Sequence, residues 1–334
     1  MGKQRYAWWL WGIWTLVGIA LLAALAYDEG MTGEMTTLGW LALMLSTAPL
    51  VGAQLALGSP RAAKQIQTWL QRSKHPLWIV TAFITVLYLF GNVLAGGFDP
   101  YAFTIFVIGL LAALGALREV GNGKRGLTWT DIAIWLLLWI PFDLRWNYDL
   151  WQGAHGMRYN WWAVAVTVVG VLGWYAFREM PDFGYDLIPR GRDILLAVVL
   201  TAIFAAIIVP IGLAIDFIQF PPSETPTVLS VVAAFIGLFL TVALPEELFF
   251  RGILLHGLDQ MMERRWLALL ISSVAFGLMH WNNASDLGTQ IAYVTLASVA
   301  GAFYGTAYRR SGNKLFAAAL THTFVDLIWR FLFS

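Results

Sequence analysis

Cysteine is absent from all 334 residues, which excludes disulfides, thiolate metal sites and cysteine nucleophiles. Charge is sparse as well: Asp, Glu, Lys and Arg make up 12% of the chain, with 21 basic residues nearly balancing 20 acidic ones. No basic stripe of the kind that grips nucleic acid results, so nucleic acid is not an expected partner. The alternating apolar and polar pattern of a membrane barrel is also missing. What remains is apolar: 59% of residues are hydrophobic and the mean hydropathy is +0.67, a composition that points to lipid as the solvent.

Crossing about 30 Å of hydrocarbon takes roughly 20 apolar residues in a helix, and the chain offers about eleven such stretches. They centre near Leu16, Met44, Val86, Ile108, Leu137, Val168, Ala205, Leu238, Ser273, Thr295 and Val325. The first, Ala7 to Tyr27, is long for a signal-peptide core and reads as a retained span; the fifth, Asp131 to Phe142, is short. Every backbone amide in lipid needs an internal partner, so the expected fold is all-α, a polytopic transmembrane helical bundle.

Loop charges predict the orientation. Basic groups fall at Arg61, Lys64, Arg72 and Lys74; at Arg118, Lys124 and Arg125; at Arg178, Arg190 and Arg192; at Arg264 and Arg265; and at Arg309, Arg310 and Lys314. The connections between them carry almost no Lys or Arg, which places the N-terminus in the cytoplasm. Tryptophan, with 18 copies, clusters at span ends and reads as interfacial anchoring. A polar stretch, Arg178 to Asp193, contains Pro181, Gly184, Pro189 and Gly191 and divides the chain. Residues 1–190 form an N-terminal transmembrane extension of about six spans without an assigned role, and residues 191–334 the bundle that carries the chemistry.

Ionisable groups inside apolar spans cost roughly 2.5–3.5 kcal/mol each on insertion scales, so they are functional candidates. Three clusters qualify: Pro245-Glu246-Glu247 with Arg251, Phe276 with His280, and His322 with Asp326. Glu247 and Arg251 are one turn apart and can pair, which leaves Glu246 turned about 100° away and free for proton transfer. Phe276 can pack beside His280, and Asp326 can orient His322. Counting from a turn near Glu263 to Arg265, Glu246 and His280 lie at depths differing by only ~6 Å. His322, counted from Lys314, matches less well and calls for a tilted or interrupted helix.

E-E-x-x-x-R, then F-x-x-x-H, then H-x-x-x-N or D, in this order on separate membrane helices, resembles the signature of the CAAX-protease and bacteriocin-processing family. The resemblance runs from the span before Glu246 to the C-terminal end. It implies an intramembrane endopeptidase acting on a membrane protein or lipidated peptide. It further implies Glu246 as the base on a water, helped by His280, with His322 and Asp326 supporting the oxyanion and Glu247 and Arg251 filling the remaining motif positions. The better-studied eukaryotic pattern resembles Asn where this chain has Asp326. An ionised Asp donates no hydrogen bond to an oxyanion, so Asp326 must be protonated, hold His322 in one tautomer, or help ligate a metal.

A divalent metal such as zinc, held by Glu246, His280 and His322, is the competing account of the same residues, although the H-E-x-x-H helix of many metalloproteases is absent. Two other classes compete with the enzyme. A non-proteolytic helper or bacteriocin self-immunity protein on the same scaffold is expected to have lost a site residue, and none is lost. A proton-coupled transporter also needs buried carboxylates and histidines, but here they concentrate in the last third of the chain. His75, His155 and His256 read as solvated surface groups, and Gly121 to Gly126 as a cytoplasmic turn rather than a dinucleotide loop. Asn283, in a predicted external loop, reads either as a chance glycosylation match or as a residue shaping the site beside His280.

Overall fold

A computed structural model describes residue 16 and residues 36–333 apart from 122–124, 151–157, 182–183 and 221–225. The first apolar stretch, its tryptophans and His155 lie outside the described residues, Leu16 excepted. The remaining ten expected spans all appear as helices, and no strand occurs among the described residues. Among the described residues, eight helices are long and apolar enough to cross a membrane. The chain divides into two units, Met1–Pro181 and Asp182–Ser334.

The first unit contains α1 (Thr37–Leu57), α2 (Pro60–Arg72), α3 (Pro76–Leu94), α4 (Pro100–Val120), α5 (Trp129–Asp143) and α6 (Tyr159–Phe177). Proline stands at the first position of α2, α3 and α4, where its fixed φ suits a helix and its missing N–H costs nothing. The short fifth stretch is a real helix of 15 residues, started by a capping box between Thr128 and Asp131. Asp131 does more than cap. It is fully buried and paired with Arg178 at 3.1 Å, so Arg178, in the connection just past the end of α6, is a buried, paired cation and not a solvated one. A second correction concerns Arg61 to Arg72, expected as loop: these residues form α2, an amphipathic helix burying Ala62, Ala63 and Leu70.

The second unit contains α7 (Gly191–Ala214), α8 (Val228–Met261), α9 (Arg265–Leu278), α10 (Leu287–Arg310) and α11 (Leu315–Leu332). Helix α11 packs against α7, α8 and α10, and α9 lies along α8 and α10. Helix α8 is not uniformly wound: π-helical turns at Leu238–Ala243 and Leu248–Leu255 flank the α turn Leu244–Glu247. Pro245 removes a backbone donor from the middle of the helix. The wide turns absorb that break without a gap in the span, and such turns concentrate at functional sites. The tight α9–α10 contact depends on Gly277, where a Cβ would meet Ser298 Oγ at 2.0 Å.

Lys314, in the connection just before α11, is likewise a buried, paired cation. Its Nζ is 2.8 Å from Asp193 Oδ2 and donates to the Ile188 carbonyl, with only 2% of the residue exposed. The backbone of Leu315 donates to Gly184, a glycine at φ +77° whose Cβ would meet Asn313 O at 2.2 Å. The start of α11 is therefore buried. Helix α11 runs unbroken from Leu315 to Leu332, so His322 reaches its partners without the interruption that the depth count called for. At the adjoining C-terminal end of α10, Arg309 Nε reaches Asp259 near the C-terminal end of α8 at 3.0 Å, tying the two helix ends together.

Candidate functional site

The α turn between the two π stretches of α8 presents two neighbouring carboxylates in different surroundings. Glu247 is sealed, with its side chain 0% exposed, whereas 15% of the Glu246 side chain remains exposed. Glu247 Oε1 accepts from Arg251 Nη1 at 3.1 Å, the pairing expected from their spacing. The same oxygen is 2.9 Å from His322 Nδ1 on α11. With a carboxylate as acceptor, Nδ1 carries the proton and Nε2 points to the other side of the ring. There it faces Asp326 Oδ2 at 3.4 Å and Glu246 Oε2 at 3.8 Å. Three carboxylates from two helices thus surround one imidazole.

Arg251 anchors this cluster. It is fully buried, donates from Nη2 to the Gly301 carbonyl at 2.9 Å, and lies 4.4 Å from the centroid of Phe276 and 5.3 Å from that of Tyr304. Cation–π contacts of this kind gain strength away from water. A side chain at Gly301 would bring its Cβ to 3.1 Å from the guanidinium, so α10 must be bare at that point. Ser272 Oγ, donating to the Phe250 carbonyl at 2.8 Å, fastens α9 to α8 and brings Phe276 over the cluster.

Phe276 is the hinge between the two histidines. Its ring is 4.8 Å from His280 and 5.7 Å, edge-on, from His322. His280 lies just beyond the end of α9 and donates from Nδ1 to the Phe276 carbonyl at 2.9 Å. A carbonyl can only accept, so Nε2 is left with its lone pair. Asn283, in the short 3-10 turn Trp281–Asn283, is exposed. The structure therefore joins Glu246, Glu247, Arg251, His322 and Asp326 directly, with His280 attached through Phe276, and Asn283 at the rim.

Two tyrosines of α10 complete the surroundings and were not singled out from the sequence. Tyr304 stacks on His322 at 4.4 Å and 13°, and Tyr293 stacks on His280 at 5.7 Å and 24°. They are eleven residues apart, which is three helical turns and hence one face. That face also carries Gly301, so the signal was an aromatic pair flanking a glycine on a span otherwise rich in small residues. His256, expected in solvent, is instead 3% exposed and bonded to Gln260 at 2.7 Å. Gln260, one turn further along α8, meets its polar edge.

Among the described residues no group of three or more His, Asp or Glu side chains has the spacing of a metal site.

Residues 228–328 match the family model described as Type II CAAX prenyl endopeptidase Rce1-like, in keeping with the resemblance read from the motifs. The match takes in Glu246, Glu247, Arg251, Phe276, His280, His322 and Asp326, and leaves out the first unit and α7. No curated protein matches the chain, and neither does any solved structure. Together with its apolar helices, this likeness marks an integral membrane protein and supports an intramembrane protease kind of function.

Proposed function

We propose, with the Rce1-like character of residues 228–328 as the starting point, that the second unit hydrolyses peptide bonds of a membrane-associated or lipidated polypeptide by a glutamate- and histidine-activated water. The observation that carries this is the contrast between adjacent carboxylates: Glu247 is sealed and spent on Arg251 and His322, while Glu246 stays accessible 3.8 Å from His322. Glu246 accepts a proton from water, and the hydroxide adds to the scissile carbonyl carbon. His280, whose Nε2 lone pair is left open by the Nδ1 bond to Phe276, assists that transfer. His322 in its imidazolium form donates from Nδ1 to Glu247 and from Nε2 to the developing oxyanion. The proton held by Glu246 then passes to the departing amine, so one water is consumed and one carboxylate and one amine are released.

Asp326 takes a different part from that of an Asn at the same position. Lying 3.4 Å from His322 Nε2, it accepts from that N–H before substrate binds, yields it to the oxyanion as the charge develops, and does not itself donate. No step is routed through a metal, and chelation of the purified protein is expected to leave cleavage intact.

The test is cleavage of two substrate classes by the full-length protein in lipid vesicles, a prenylated C-terminal peptide and a transmembrane peptide, read by mass spectrometry. Glu246→Gln is expected to lower the rate by about 10²–10⁴-fold with unchanged helical circular dichroism. Full activity in that variant removes the proposed base. Failure of the wild-type protein to cut either class favours the non-proteolytic helper.

A further inference from the structure

The first unit, for which the family match offers no role, contains a cavity of about 820 Å³ walled by α1, α2, α3 and α6. Its walls are mostly apolar, Ala53 and Phe83 among them, and its rim on α2 carries Arg61, Lys64 and Arg72. All three cations are exposed, and among the described residues Arg61 and Arg72 form no ion pair. Lys64 donates one of its three N–H groups to Gln67 at 2.8 Å. The nearest carboxylate bonded to this helix, Glu179, accepts from Gln71, and no acidic residue lines the cavity.

Position explains what such a cavity is for. Helix α2 joins the end of one apolar span, Leu57, to the start of another, Pro76, so it lies at the level of the headgroups with its apolar face turned inward. Trp69, 40% exposed beside the cations, is the residue type that favours this layer. In a bilayer an apolar cleft opening here fills with acyl chain. A rim of three cations selects a headgroup of negative charge, as basic juxtamembrane clusters do.

We infer that this cavity is a binding site for one anionic phospholipid, its acyl chain against the apolar walls and its phosphate held by Arg61, Lys64 and Arg72. The site is independent of the proteolytic reading of the second unit. The phospholipid joins α1, α2 and α3 at one membrane face and gives the first unit a function of its own, recognition of lipid charge.

Native mass spectrometry of the full-length protein, equilibrated with equal amounts of phosphatidylglycerol and phosphatidylcholine of matched chains, tests this. The wild-type protein is expected to retain phosphatidylglycerol in preference, and R61Q/K64Q/R72Q to lose roughly fivefold in that preference per charge removed. Each single glutamine variant gives the same readout at an exposed position if the triple variant does not fold. Ala53→Trp, which fills the cleft, is expected to lower retention of both lipids. Equal retention of the two lipids by the wild type, or an unchanged preference in the glutamine variants, overturns the proposal. Full displacement of the lipid by inorganic phosphate also overturns it, because the acyl chain would then contribute nothing.

Discussion

The two units each bury a carboxylate–arginine pair, and the pairs are built to different ends. In the first unit the Asp131 carboxylate is saturated: it accepts from Arg178 Nε at 3.1 Å, Trp174 Nε1 at 3.0 Å, and the Thr128 amide and hydroxyl at 2.8 Å each. In the second unit Glu247 Oε1 serves both Arg251 and His322, while Glu247 Oε2 and Arg251 Nε have no hydrogen-bond partner among the described residues. A closed network specifies a structure. The second network, sealed at Glu247 and Arg251 but incompletely satisfied, holds His322 beside the partly exposed acids Glu246 and Asp326, and a buried group left unsatisfied calls for a reason of its own, of which chemistry is one.

The comparison breaks most visibly when one partner of each pair is removed. Arg178→Leu and Arg251→Leu are each expected to cost about 3–5 kcal/mol, because a buried carboxylate is left uncompensated; unfolding in detergent followed by circular dichroism measures this. Removing both partners separates the two. Asp131→Asn with Arg178→Met is expected to recover most of that stability and to keep turnover, whereas Glu247→Gln with Arg251→Met recovers stability and stays inactive. Equal turnover in the two double variants would show that the second pair is as structural as the first.

Glu247→Gln alone is the next effect in size. It keeps shape and one hydrogen bond but loses the charge that steadies His322, and a rate loss of roughly 10–100-fold is expected with KM little changed, as for a conserved partner shell around a reactive imidazole. A rise in KM at constant kcat would instead assign Glu247 to substrate binding. Asp326→Asn is gentler: a neutral acceptor still meets His322, and activity within about tenfold of wild type is expected, with Asp326→Ala well below it. The smallest effect belongs to His256→Leu, which removes a buried hydrogen bond to Gln260 and is expected to cost about 1–3 kcal/mol of stability without altering turnover of the folded protein.

Periodicity carried the reading furthest. The ten described spans and the Glu247–Arg251 pair follow from apolar length and one-turn spacing, which depend on local geometry alone. Helix α2 was also within reach, since Pro60 followed by Ala62, Ala63, Ile66 and Leu70 spells a narrow apolar stripe, but its basic residues had been counted as loop. The burial of Lys314 and Arg178 was not legible for one reason: a cation between spans reads as solvated unless its partner is known, and those partners, Asp193 and Asp131, lie 121 and 47 residues away. The same long-range blindness hid the placing of His322 on Glu247 and the stacking of Tyr293 and Tyr304. Contacts between helices depend on which face each turns inward, and spacing within one helix says nothing about that.

The uneven winding of α8 has a consequence for how this chain tolerates change in length. A π turn holds one residue more than the α turn it replaces, so the helix contains two places where a deletion is sterically welcome. Removing one residue from Leu238–Ala243 would let the wide turn tighten to an α turn, with the phase between the entrance of the span and Glu246 little changed. The same deletion in a regularly wound stretch would turn everything upstream by about 100°.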